Sequence, residues 1–189
     1  LQKKIIRLCK KAGKPVIVAT HMLETMTEHP FPTRAEASDV ATAVYDGADA
    51  VMLSAESAAG LYPLEAIQMM GKIISSVEGD DLYLSFLKQM GEISDHQVSD
   101  AISLAARQLS YTLEAAAIVT YTATGGTARR VAHKRPSCMI VGMTDQIKTA
   151  RQLTAVWGVY PVLMQGIHTF EEMRVAAFDV VKRYGGDKG

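Results

Sequence analysis

The sequence is poor in cysteine and has no long apolar run. It contains two cysteines, Cys9 and Cys138, in 189 residues, which is too few and too widely spaced for a disulfide framework or a cysteine metal site. Isolated reduced thiols of this kind are usual in the cytoplasm, so we expect a cytoplasmic protein. The N-terminal residues follow an amphipathic helix pattern, which does not resemble a signal peptide.

The sequence also lacks an excess of either positive or negative charge. The 20 basic residues are balanced by 20 acidic residues, so the formal net charge is zero. This balance provides no general attraction to nucleic acid or to an anionic membrane. No apolar run reaches the roughly 20 residues that a membrane-spanning helix requires. We therefore expect neither nucleic acid nor a membrane as a partner, and we expect any anion site to be local.

The first 80 residues alternate between helix and strand patterns. Helical periodicity predicts the helices Gln2–Ala12, Arg34–Tyr45 and Leu64–Val77. Short apolar runs predict the strands Val16–Ala19 and Ala50–Leu53. Strands without polar alternation are typical of a parallel sheet covered by helices. Two such strands cannot bury both faces of a sheet, so we expect this part to belong to a larger one.

A more polar stretch then predicts a linker helix over 81–94, followed by a second alternating series over 95–189. The predicted helices there are Val98–Leu113, Thr127–Lys134, Gln146–Val156 and Phe170–Tyr184. The predicted strands are Ala116–Tyr121, Cys138–Met143 and Tyr160–Met164. This alternation predicts an open α/β sandwich with a mainly parallel sheet.

Six motifs follow one another in the first half of the chain. They are Gly13–Glu24, Pro32–Glu36, Ser38–Ala41, Asp46–Asp49, Met52–Ser57 and Tyr62–Ala66. In order and spacing they resemble the pyruvate kinase family, and the resemblance continues more weakly through residues 95–186. It implies that residues 1–80 are the C-terminal portion of a (β/α)8 barrel domain. It also implies that residues 95–189 are the family's C-terminal α/β domain without its end.

The family resemblance implies an activity. Pyruvate kinases transfer a phosphoryl group from phosphoenolpyruvate to ADP, giving pyruvate and ATP in glycolysis, with Mg²⁺ and K⁺. The resemblance places the ligands of both ions, and the cationic groups that hold the phosphate, in segments before Leu1. We therefore expect no activity from the 189-residue chain alone, and we expect its parent to be a homo-oligomer, specifically a homotetramer.

Three residues of the first half match site positions of the family. Thr20 follows the first predicted strand and matches a substrate-binding threonine, while Ser54 and Glu56 follow the second strand on the nucleotide side. Barrel sites lie at these strand ends. From the residues alone, Thr20 could equally cap a turn, and Ser54 with Glu56 could cap a helix. Glu24 matches a carboxylate for which we expect a supporting role.

The sequence departs from the family pattern at two positions near this site. His21 stands where many members have Gln, and Ala55 where many have Gly. Because the only other histidine nearby is His29 in a proline-rich loop, we expect His21 to be solvated or packed rather than a metal ligand.

A second candidate site lies where the strand ending at Tyr121 leads into a helix. Thr122, Thr124, Gly125, Gly126 and Thr127 combine hydroxyl groups, an open backbone and a helix start, which favours an anion. The segment resembles the family's effector loop, so the resemblance implies a sugar phosphate as effector. The alternative from the residues alone is a helix capped by its threonines.

Two other functions remain open at this stage. The chain could be a free-standing regulatory module that binds phosphate or a sugar phosphate. It could also be an α/β domain of the phosphosugar isomerase kind, but such an enzyme would need an acid/base pair near residues 122–127, and the sequence offers no convincing one.

Overall fold

The computed structural model describes residues 1–19, 21–83, 85, 98–166 and 169–185. The chain divides into two compact units, Leu1–Phe86 and Leu87–Gly189. None of the described helices is long and apolar enough to cross a membrane.

The first unit pairs two short parallel strands among helices. Its elements are α1 (Gln2–Lys11), β1 (Ile17–Val18), a 3₁₀ helix (Glu24–Thr27), α2 (Arg34–Tyr45), β2 (Ala50–Val51), α3 (Ala55–Ala58) and α4 (Pro63–Glu78). Ile17 pairs with Ala50 and Val18 with Val51. The strands are shorter than predicted because the ladder joins only these residues, although the N–H of Met52 also donates to the carbonyl of Val18 at 2.9 Å.

Local signals in the sequence explain where the helices of this unit begin and end. Gly13, with φ of 64°, ends α1 in the left-handed conformation that glycine adopts without strain. Thr33 and Glu36 form a complete capping box at the start of α2. Pro63 occupies the first turn of α4, where its missing N–H costs nothing. The core between these elements is formed by Ile6, Val18, Met22, Leu23, Met26, Val40, Ala43, Ala48, Ala66 and Met70.

The second unit is a three-stranded parallel sheet with helices between its strands. Its elements are α5 (Val98–Thr112), β3 (Ala117–Tyr121), α6 (Gly126–His133), β4 (Met139–Thr144), α7 (Ile147–Leu153), β5 (Val159–Leu163) and α8 (Phe170–Gly185). The strand order is β3-β4-β5. The central strand β4 is buried from Ile140 onwards, as expected for an apolar run covered on both faces.

These observations confirm the predicted α/β class with parallel strands. One predicted helix is too long: α7 ends at Leu153 rather than Val156. The chain leaves the helix there through a turn that closes at Gly158, whose φ is 67°. Most of the predicted linker over 81–94 lies outside the described residues, so its boundaries stay a prediction.

Candidate functional site

The first candidate site lies at the carboxyl ends of β1 and β2, which meet at one edge of their parallel pair. Thr20 lies outside the described residues, so its role stays a prediction from sequence. The loop that follows it runs from His21 to the 3₁₀ helix that begins at Glu24. Ser54 follows β2 as the N-cap residue of α3, and Glu56 lies in the first turn of α3.

Glu56 connects the loop after β1 with the turn after β2 through hydrogen bonds to both. Its carboxylate accepts a hydrogen bond from the backbone N–H of Ser54 at 2.7 Å and another from the backbone N–H of Leu23 at 3.3 Å. The side chain is 1% exposed. Burial by itself would raise the pKa of Glu56, but backbone donors of Glu56, Ser54 and Leu23, with the charge of His21, outweigh it and lower the pKa. A buried ionised carboxylate therefore fixes the geometry of this edge.

Ser54 does not cap the following helix in the way that the sequence left open. It occupies the N-cap position of α3, but its side chain accepts no capping hydrogen bond. Ser54 is exposed, and its backbone N–H donates to the carboxylate of Glu56.

His21 and Glu24 form an exposed pair on the loop after β1. The Nδ1 atom of His21 lies 2.5 Å from a carboxylate oxygen of Glu24. This hydrogen bond, followed by the charge of Glu24 and then that of Glu56, raises the pKa of His21 above its ordinary value. His21 has φ of 35°, an uncommon conformation for a residue other than glycine. The expected solvated histidine and supporting carboxylate are thus one hydrogen-bonded pair.

Glu36 supports the same loop from α2. Its carboxylate accepts from the backbone N–H of Thr25 at 2.7 Å and from the backbone N–H of Thr33, also at 2.7 Å. Burial opposes ionisation, yet these backbone donors together lower the pKa of Glu36. The sequence places Glu36 in a family motif, but only the fold reveals that it reaches the 3₁₀ helix after β1.

The second candidate site is the loop between β3 and α6. Thr122 is buried, and its hydroxyl accepts from the backbone N–H of Gly125 at 2.9 Å. Gly125 has φ of 83°, which a residue with a Cβ atom adopts only with strain. A Cβ at Gly125 would also lie 3.3 Å from a methyl group of Leu153. The loop therefore depends on glycine for its conformation and for space.

No side chain in the described structure caps the first turn of α6. The capping alternative left open by the sequence is therefore wrong, because the Thr122 hydroxyl binds the N-cap residue and not the first turn. Uncapped N–H groups at a helix start, with the positive end of the helix dipole, favour an anion.

Two arginines of α6 contact this loop. An Nη atom of Arg129 donates to the carbonyl of Thr124 at 3.4 Å, and the other donates to the side-chain carbonyl of Gln152 at 3.2 Å. An Nη atom of Arg130 lies 3.5 Å from the hydroxyl of Thr127. Neither arginine belongs to residues 122–127, so the loop motif by itself does not reveal them. The signal was the four-residue spacing from Gly125 and Gly126, which puts each arginine one helical turn above a loop glycine.

Comparison with known proteins places both units in one enzyme family. The family model for the pyruvate kinase barrel domain matches residues 1–67, and that for the pyruvate kinase alpha/beta domain matches residues 100–187. Together these models cover most of the chain. The α/β fold with a strand-edge site therefore has a specific assignment: the chain belongs to the pyruvate kinase family.

Individual relatives agree. A pyruvate kinase of Methylorubrum extorquens is 47% identical over all of this chain and 40% of its own length. One of Clostridium acetobutylicum is 44% identical over 95% of this chain and 38% of its own. A crystal structure of a pyruvate kinase from Cryptosporidium parvum matches with a TM-score of 0.90 and 37% identity, over 96% of this chain and 38% of the other. The chain thus spans about two fifths of the length of these relatives.

Proposed function

We propose that this chain forms part of a glycolytic pyruvate kinase that transfers a phosphoryl group from phosphoenolpyruvate to ADP. The observation that carries the proposal is the joining, by buried Glu56, of the loops after two neighbouring parallel strands, at the edge where barrel enzymes bind substrates. The matches of both units to pyruvate kinase family models support it. The reaction belongs to the longer protein, and we expect the 189-residue chain by itself to be inactive.

Thr20 is the proposed catalytic residue of this chain. It comes two residues after β1 in the sequence, and a hydroxyl at that position can bind the substrate carboxylate or pass a proton to the enolate through water. Glu56 holds the loops on either side, and the hydroxyl of the exposed residue Ser54 is proposed to face the nucleotide. In this assignment Glu56 positions the site through its backbone contacts.

The metal ions require other residues. Within the described parts of the chain, no group of three or more His, Cys, Asp and Glu side chains is placed to hold a metal ion. In keeping with the family resemblance, we propose that the ligands of Mg²⁺ and K⁺ are contributed by other segments of the longer protein.

The test uses the longer protein with substitutions in this part. Pyruvate formation from phosphoenolpyruvate and ADP should require the enzyme, and Thr20→Val should lower kcat by about a hundredfold, since positioned proton transfer contributes at least that much. Thr27→Val is the matched control, because the Thr27 hydroxyl is committed to the carbonyl of Glu24 at 2.8 Å. A Thr20→Val enzyme as active as the control would contradict the assignment, and a protein without phosphoryl transfer would refute the function.

We also propose that the loop over 122–127 binds the phosphate of an effector such as a sugar phosphate. The uncapped start of α6 and the guanidinium groups of Arg129 and Arg130 support an anion there. Inorganic phosphate should bind the chain with a dissociation constant in the millimolar range, which corresponds to a binding free energy of about −4 kcal/mol.

Amide chemical shifts of the loop during a phosphate titration measure this binding. Replacing Thr124 and Thr127 with Val should abolish the shifts, whereas Thr154→Val should not, because that exposed threonine lies after α7 and bonds to the carbonyl of Arg151. Unchanged phosphate binding by the double variant would exclude the site.

The remaining features of the proposal concern the whole protein. We propose domain boundaries at 1–80, 81–94 and 95–189, a homotetrameric parent enzyme and a cytoplasmic location. Both cysteines are free in the structure, in keeping with a reducing compartment.

A further inference from the structure

A cavity of about 550 Å³ lies in the second unit, against the opposite edge of the sheet from the loop over 122–127. It is formed where α5 ends and where β3 and β4 begin. Ser110, Tyr111 and Glu114 line it from the end of α5, and Ser137 and Cys138 line it from the segment before β4. Its volume is within the range of small-molecule sites.

Two features of this cavity contribute negative charge. Among the described residues that line it, Glu114 is the charged one, and none is a lysine or an arginine. In addition, the 15-residue helix α5 ends at the cavity, so its carbonyl end adds partial negative charge there. Both sources favour a cation.

Glu114 is held in a costly conformation. Its φ is 47°, in the left-handed region where glycine normally ends a helix. The backbone N–H of the next residue, Ala115, donates to the carbonyl of Ser110 at 3.0 Å, which closes the turn. The Glu114 carboxylate makes no hydrogen bond or ion pair with any residue in the described part of the chain. A strained backbone that presents an unpaired carboxylate to a cavity is a reason to look for a ligand.

The other polar groups are suited to a small organic ligand. The hydroxyl of Ser110 is committed to the carbonyl of Arg107 at 2.7 Å, and that of Tyr111 to the carbonyl of Arg135 at 3.3 Å. The hydroxyl of Ser137 and the thiol of Cys138 have no such bonds within the residues described. They lie across the cavity from α5. A ligand can therefore place a cationic group on Glu114 and a polar group on Ser137.

We propose that this cavity binds a compact organic cation, an aliphatic amine, with its ammonium group on Glu114. The proposal concerns a separate site and does not depend on phosphoryl transfer or on the anion loop.

Cys138 provides a built-in probe. In a Cys9→Ser background, the thiolate of Cys138 attacks one sulfur of an added disulfide, a mixed disulfide forms, and the other half leaves as a thiol. Three reagents are compared: cationic cystamine, neutral bis(2-hydroxyethyl) disulfide and anionic 3,3′-dithiodipropionate. The rates are measured by mass spectrometry in this chain and in the same chain with Glu114→Gln.

Comparing the two chains removes the intrinsic reactivity of each reagent. We expect the ratio of the cystamine rate to the neutral-reagent rate to fall about five- to tenfold in Glu114→Gln, the size of one charge contact near a protein surface. The ratio for the anionic reagent should change in the opposite direction. Equal ratios in the two chains would overturn the proposal.

A second measurement tests binding without attachment. Ethylenediamine should slow modification of Cys138 by the neutral reagent in a saturable manner at millimolar concentration, and it should fail to do so in Glu114→Gln. Absence of protection, or equal protection in both chains, would refute a bound amine. Circular dichroism of the Glu114→Gln chain checks that its fold is retained.

Discussion

Glu56→Gln tests the idea that one buried carboxylate fixes the edge formed by the two barrel strands. The carboxylate accepts backbone N–H groups of Ser54 and Leu23 while 1% exposed. Gln keeps the shape but offers a single acceptor oxygen, so its NH₂ group faces a backbone N–H that needs an acceptor. One charge-assisted hydrogen bond is lost, at about 1.5–3 kcal/mol, and the other is weakened. The neutral side chain is easier to bury, so we expect a net loss of about 2 kcal/mol.

Hydrogen exchange measures this loss at the bonds themselves. A change of about 2 kcal/mol should raise the exchange rates of the Leu23 and Ser54 amides about 30-fold where local opening controls exchange. Glu24→Gln is the matched control, because it neutralises an exposed carboxylate on the same loop and should leave both amides protected. If Glu56→Gln leaves both exchange rates unchanged, the carboxylate does not hold the loops.

The same residue has a predictable pH dependence. The pKa of Glu56 is lower in the folded chain than its ordinary value of 4.5. Its contribution to the free energy of unfolding is therefore present above the unfolded pKa and is lost as the pH falls through the folded pKa. Amide exchange of Leu23 should accelerate on acidification below about pH 4.5 relative to its intrinsic rate, and Glu56→Gln should remove that acceleration.

Three further outcomes are expected. The pKa of His21 measured by NMR titration should fall toward 6.5 in Glu24→Gln, because the hydrogen bond that raises it is lost. The stabilisation from that bond should be full below the unfolded pKa and vanish as the pH rises through the folded pKa; an unchanged titration would disprove the pairing. Glu114→Gly should stabilise the second unit by about 1 kcal/mol by relieving the strain at φ 47°. Denaturant unfolding monitored by the fluorescence of Trp157, the single tryptophan, reports on that unit. A lower free energy of unfolding in Glu114→Gly would contradict the inferred backbone strain. The isolated 189-residue chain should self-associate, since Ile17 on β1 and Leu64 on α4 are 63% and 61% exposed, and a monomer by light scattering would argue against this.

The sequence predicted those parts of the fold that depend on local patterns. The apolar run predicted a strand at Cys138–Met143, and the structure confirms it with a one-residue shift, Met139–Thr144. The helix α2 begins at Arg34 as predicted, because Thr33 and Glu36 carry the signal within four residues. The parallel arrangement also followed from the pattern, since short strands separated by helices leave few alternatives.

Contacts between distant residues could not be predicted in this way. Glu56 and Leu23 are 33 residues apart, and nothing in the local pattern of either indicates the other. The positive φ of Glu114 was equally hidden, because the side chain gives no sign that it replaces a helix-ending glycine. The roles of Thr20, Ser54 and the threonines of the 122–127 loop stay predictions.

The second unit explains how a chain without net charge can hold sites of opposite preference. In a parallel sheet with intervening helices, each helix begins at the carboxyl edge of the strands and ends at the amino edge. At the carboxyl edge, the uncapped start of α6 is joined by Arg129 and Arg130. At the amino edge, the end of α5 is joined by Glu114. At these two places the charged side chains have the same sign as the nearby end of the helix dipole, although the net charge of the whole chain is zero. The local direction of the helices, rather than the total charge, therefore supports the two proposals of an anion at one edge and a cation at the other.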